Sequence, residues 1–106
     1  MSNTYRRFEF LLPLRFNDGQ AVPDDLIADT PLEVRQQFGA VSSETQIIRG
    51  LWQHEGKLYR DDLSRIFVDV PDTAESRQFF SDLKERVKIR FQQHDIWMTT
   101  HPIEVI

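Results

Sequence analysis

The stretch TQIIRGLWQHEGKLYRDDLSRIFVDV, Thr45 to Val70, decides the fold of this chain. Its two halves, Thr45–Gln53 and Leu58–Val70, are rich in Ile, Leu, Val, Trp and Phe, the residue types that fill strands. Between them lies His54-Glu55-Gly56-Lys57, where glycine supplies the positive φ of a tight turn. The stretch therefore reads as a β-hairpin in the middle of the chain. Inward parity in its second strand changes from Leu63 to Ile66, Val68 and Val70, so a bulge or twist is expected near Asp61 to Ser64.

Toward the N-terminus, Phe8, Phe10, Leu12, Leu14 and Phe16 alternate with Glu9, Leu11, Pro13 and Arg15. Period two over this run predicts a strand from Phe8 to Phe16 with one strongly apolar face. Asn17-Asp18-Gly19-Gln20 ends it with turn chemistry. From Pro23 to Phe38, the stripe Ile27, Pro31, Val34 and Phe38 has helical spacing, and Gly39 stands where a helix-ending glycine belongs. Thr30-Pro31-Leu32-Glu33 also fits a capping box with proline at the first helical position. The segment is thus one helix broken at Pro31 or a turn followed by a helix starting there, and the first reading is preferred.

Beyond the hairpin, Pro71-Asp72-Thr73-Ala74-Glu75 opens a second helix whose core stripe is Phe79, Phe80, Leu83, Val87 and Phe91, with Ile89 on the opposite side. A last strand is expected from Asp95 to Ile106. Pro102 has no N–H to donate, which puts that strand at a sheet edge. The order strand, helix, hairpin, helix, strand predicts an α+β fold, a ferredoxin-like βαββαβ sandwich. Its four-stranded antiparallel sheet would have the first and third strands central and two helices on one face.

The segments Trp52-Gln53-His54-Glu55-Gly56-Lys57-Leu58-Tyr59-Arg60-Asp61, Val68-Asp69-Val70-Pro71-Asp72 and Arg90-Phe91-Gln92-Gln93 carry a resemblance. The chain resembles small uncharacterised bacterial proteins with ferredoxin-like topology. The resemblance covers most of the chain, rests on structural punctuation, and implies no activity, cofactor or catalytic residue.

Composition narrows the function classes. At 106 residues the chain is the length of one domain, residues 1–106, with enough apolar residues for a core. A formal net charge of −4 argues against nonspecific nucleic-acid binding, which needs clustered Lys and Arg. RNA-recognition motifs share the element order, but Arg65-Ile66-Phe67-Val68 lacks the glycine of their signature. With no cysteine, disulfides, thiolate metal sites and cysteine nucleophiles drop out. The N-terminal run is interrupted by Glu9, Pro13 and Arg15, and no apolar stretch reaches the roughly 20 residues of a membrane span. A cytoplasmic location with no membrane partner is expected.

No catalytic constellation emerges, and no metal or cofactor is expected. His54, His94 and His101 lack the spacing of paired helix ligands. Asp24, Asp25 and Asp29 suit a helix's first turn, and Asn17-Asp18-Gly19 lacks the remaining ligands of a calcium loop. Acylphosphatases share the fold order, yet their glycine-rich anion loop is missing here. Tyr59, Arg60 and Asp61, with His101, remain as polar-site candidates. The same charges also fit cross-strand ion pairing near a hairpin.

The expected helix-free face carries Arg7, Glu9, Leu11 and Pro13 beside Leu63, Arg65, Phe67 and Asp69. One of Leu51 or Trp52 and one of Trp97 or Met98 should join them. Arg7, Glu9, Leu11, Leu63, Arg65, Phe67 and Asp69 form the candidate interface or ligand surface, because a monomer would leave an apolar patch in water. The expectation is a homodimeric interaction or small-ligand-binding module. An enzyme with a pocket between paired sheets is the alternative, and an RNA-binding or regulatory domain comes third.

Overall fold

A computed structural model describes residues 4–44 and 47–106. The elements are β1 (Tyr5–Pro13), α1 (Asp24–Phe38), β2 (Ser42–Ser43), β3 (Ile48–His54), β4 (Lys57–Pro71), α2 (Ala74–Arg90) and β5 (Met98–Ile103). β4 and β1 pair at the centre, β5 lies outside β1, and β2 and β3 both pair with β4 on its other side. All pairings are antiparallel. This is the ferredoxin-like order read from the sequence, with five strands where four were expected. The extra strand is the two-residue fragment β2, which pairs with Ile66 and Phe67 further along β4 than β3 does. Of the stretch read as a strand from Thr45 to Gln53, residues 45 and 46 lie outside the described residues.

The alternation in β1 works as expected. Phe8, Phe10 and Leu12 are buried and face the same core as Ile66, Val68 and Val70 of β4. From α2 come Phe80, Leu83 and Val87, and from α1 Val34, with Phe91 and Ile96 closing the end. Phe8 stacks on Phe80 with ring centroids 4.1 Å apart, and Phe38 stacks on Phe80 from α1 at 5.4 Å. Since residues of both helices join one core with the even residues of β1 and β4, both helices lie on one face of the sheet. Phe79 is half-buried at the rim of that core, edge-on to Phe38 at 5.2 Å, while Ile89 is 80% exposed.

Several boundaries differ from the sequence reading. β1 runs from Tyr5 to Pro13 instead of Phe8 to Phe16; beyond Pro13 a single bridge joins Arg15 to Ala21 around the Gly19 turn. β5 is Met98–Ile103, shorter than Asp95 to Ile106. Pro102 sits on the edge strand as expected, opposite Arg6. Helix α1 runs unbroken through Pro31. The capping role read for Thr30 fails because α1 already begins at Asp24; inside the helix its buried hydroxyl accepts from Arg90 Nη1 of α2 at 2.6 Å. Arg90 and Arg86 also bind Glu33, so one polar cluster ties α1 to α2. Gly39 does end α1, with φ 82° and its N–H bonded to Arg35 O, and Thr73 caps α2 by accepting from the Ser76 N–H.

No bulge occurs in β4 near Asp61 to Ser64. Pairing is one-to-one from Lys57 to Leu63 against β3 and from Leu63 to Pro71 against β1. Leu63 therefore keeps the parity of Arg65 and Phe67 on the face away from the helices. The apparent change of inward parity arose because an apolar residue stands on the open side. Glu55 and Gly56 both take positive φ, 50° and 77°, the geometry of a two-residue hairpin turn that matches strand twist.

Candidate functional site

Two regions of the helix-free side hold the polar and aromatic side chains of interest. The first is an ion-paired strip across β4 and β1. Arg7 and Asp69 are directly opposite each other and form a two-pronged pair, Nε to Oδ1 at 2.7 Å and Nη2 to Oδ2 at 3.0 Å. Arg65 donates to Glu9 and, at 2.7 Å, to Glu44 just beyond β2. The two guanidiniums approach the Phe67 ring at 4.8 and 4.5 Å, so Phe67 is half-buried beneath them. A hydrogen bond from Arg65 holds the Glu9 carboxyl below its ordinary pKa, and one from Arg7 does the same for Asp69. His101, opposite Arg7 on β5, lies close enough for its charge to favour both ionised carboxylates.

The strip thus brings together five of the seven residues named for this face: Arg7, Glu9, Arg65, Phe67 and Asp69. Their charges are matched within the chain. Leu11 and Leu63 lie further along the same face and belong to the second region.

That region is a cleft of about 700 Å³. Leu11 and Pro13 of β1 and Leu63 of β4 supply apolar lining, and Gly50 of β3 lines it with no side chain. A Cβ on Gly50 would stand 3.0 Å from Leu63 Cδ1, so glycine leaves room for Leu63 here. Trp52 and His54 come from the hairpin, and His94 and Trp97 from the connection between α2 and β5. Gln92 at φ 56° turns the chain at the end of α2, with the Gln93 N–H bonded to Lys88 O, and His94 follows directly. The imidazoles of His54 and His94 stack with centroids 4.8 Å apart and planes at 24°.

The polar candidates divide. Tyr59 stacks on Trp52 at 4.3 Å, and Asp61 accepts the Trp52 indole N–H, so these two stiffen one wall of the cleft. Arg60 has the opposite parity, is exposed, and does not join them. Its neighbour Asp62 pairs across the hairpin with Arg49 at 3.6 Å, the cross-strand pairing expected as the alternative to a site. Asp95 also lines the cleft. Burial alone would raise its pKa, but hydrogen bonds from Lys84 and the Ile96 N–H outweigh that and lower it. Of the outer-strand residues whose parity was open, Leu51 and Trp52 both line the cleft, Trp52 with the parity of Gly50; Met98 packs toward the core, while Trp97 at the cleft rim is 68% exposed.

Sequence reasoning missed the role of Gly50 and His94 in this cleft. Nothing local marks them, because three separate segments meet there. Among the described residues, no group of three or more His, Asp or Glu is placed to hold a metal ion, and no helix is long and apolar enough to cross a membrane.

No family model matches the chain, and no curated protein matches its sequence. Solved structures do. A phage SAM lyase in complex with S-methyl-5′-thioadenosine is similar at TM-score 0.69 and 12% identity, over 99% of this chain and 92% of that one. CutA1 from Oryza sativa is similar at TM-score 0.66 and 12% identity, over 98% and 84%. The GlnK–ATP complex of B. subtilis is similar at TM-score 0.60 and 12% identity, over 97% and 84%. At these identities the likeness establishes the ferredoxin-like fold.

Proposed function

We propose that this chain is a small-ligand-binding module whose cleft takes a planar heteroaromatic molecule. The carrying observation is the cleft's lining: apolar Leu11, Pro13 and Leu63, with Trp52, the stacked histidines and Trp97 around them. Ligand sites are mostly apolar concavities of about 300–1,000 Å³ with a few polar groups, and this cleft fits that description. Flat π surfaces favour flat ligands through offset stacking. Two of the similar structures contain purine nucleosides or nucleotides, S-methyl-5′-thioadenosine and ATP, which makes that chemical class the first to try.

Titration with S-methyl-5′-thioadenosine and with ATP, read by tryptophan fluorescence, tests the proposal. Saturable quenching is expected with at least one of them, weakened at least tenfold by Trp97→Ala. Trp97 is largely exposed, so the substitution leaves the fold intact. No saturable change up to millimolar concentration of either ligand would overturn the purine reading.

Pairing of two copies through the open sheet face belongs to the same proposal. Leu11, Leu63 and Phe67 give that face an apolar component, and the Arg7–Asp69 and Arg65–Glu9 pairs give it a polar surround. Catalysis in the cleft is the weaker reading, because both of its carboxylates are engaged: Asp61 by Trp52, and Asp95 by Lys84 and the Ile96 N–H.

A further inference from the structure

We propose that His54 and His94 form a proton-sensitive latch that holds the hairpin tip against the α2–β5 connection and sets how far the cleft opens. Its meaning for ligand entry rests on the cleft being the binding site, but the latch itself is a property of the empty protein. His54 is the last residue of β3, at the hairpin turn, and His94 follows the left-handed turn at Gln92. Their stacked rings, 4.8 Å between centroids, join two segments that both line the cleft.

Imidazole is the side chain whose ordinary titration falls between about pH 5 and 8. Two neutral rings stack without penalty. One proton is tolerated, because a cation over a π face is attracted to it. A second proton sets two like charges face to face, and the stack must open.

Few carboxylates stand by to offset that pair of charges. From the turn, the Glu55 carboxylate lies 3.8 Å from His54 Nε2 and can balance one charge. From β4, Lys57 stands opposite His54 with its ammonium over the Tyr59 ring at 5.0 Å, while Asp61 is committed to Trp52. From α2, Lys88 lines the cleft and pairs with Glu85, and Asp95 beside His94 is held by Lys84. Glu55 is thus the one carboxylate paired with the stack among the described residues. Acidification toward about pH 5 therefore releases the hairpin tip and swings the Trp52 wall away from Trp97.

The cysteine-free chain suits paired spin labels. Labels go on Arg60→Cys in the hairpin and Ser81→Cys in α2, both exposed positions, with Ser81→Cys and Thr99→Cys as a control within the body. The hairpin pair is expected to show one narrow distance at pH 7.5 and a longer, broader distribution at pH 5, without any ligand. His94→Phe keeps a stacking ring that takes no proton and should hold the narrow distance at both pH values. His94→Ala should give the broad distribution at both. An unchanged hairpin distance in the parent chain, a pH response that persists in His94→Phe, or a shift of the control pair would each overturn the latch. A failed ligand titration would leave these distances as they are, so the two proposals fail separately.

Discussion

The indole N–H of Trp52 donates to the carboxylate of Asp61, which stands opposite Gly50 on the neighbouring strand, so a diagonal hydrogen bond braces the hairpin where it lines the cleft. The bond is part-buried and its acceptor is charged, which places it among the stronger side-chain hydrogen bonds, tempered by solvent. Asp61→Ala should cost about 1 kcal/mol in urea unfolding and red-shift tryptophan emission, whereas Asp61→Asn, which keeps an acceptor, should restore most of both. Equal effects of the two substitutions would show that the bond does not hold Trp52.

Core packing makes a sharper demand. Phe10 and Leu83 are fully buried, one on β1 and one on α2. Truncating either to Ala removes apolar contact and leaves a cavity, so each should cost about 2–5 kcal/mol by chemical denaturation. Ile89→Ala, at an exposed position on the same helix as Leu83, should stay within about 0.5 kcal/mol. A comparable loss at Ile89 would mean that its side chain is covered in solution by another molecule.

Acid should weaken the fold through Glu9 and Asp69. Their carboxyls are held below ordinary values, first by the hydrogen bonds from Arg65 and Arg7 respectively. The unfolded chain binds protons at these sites more readily than the native one, so their stabilisation is full above the ordinary carboxylate range. It is lost as pH falls from about 4 through the lowered native values. Both pairs are solvent-screened, so the effect is modest. The urea midpoint should drop below about pH 4, and a Glu9→Gln, Asp69→Asn double variant should drop less steeply over that interval. An identical acid slope in the double variant would contradict this assignment.

Self-association supplies a test of the open face. A stable pair of subunits should bury about 1,200–2,000 Å² in total. Phe67 is half-buried on the open face, outside the core between sheet and helices, so Phe67→Glu should leave the monomer folded. In a dimer the same change adds negative charge at the centre of both facing sheets and should halve the mass seen by light scattering at tens of micromolar protein. A monomeric mass for the parent chain would refute pairing through this face.

The fold was legible because its signals are local and periodic. Alternation from Phe8 to Leu12, the glycine turn at Gly56, the Thr73 cap and the stripe through Phe80, Leu83 and Val87 each identify an element and its buried face. Together with the missing donor of Pro102, they fix the strand order. Tertiary structure decided what lies over the other face. Periodicity reports which residues share a side, not what stands beyond it, so Leu63 reads as a break in register although it lines a cleft on the open side. Thr30-Pro31 likewise has the pattern of a helix start, yet α1 begins at Asp24 and the Thr30 hydroxyl binds Arg90 of the other helix. The cleft and the His54–His94 stack arise only where β1, the hairpin and the α2–β5 connection converge, because contacts between segments distant in sequence leave no spacing within it to read.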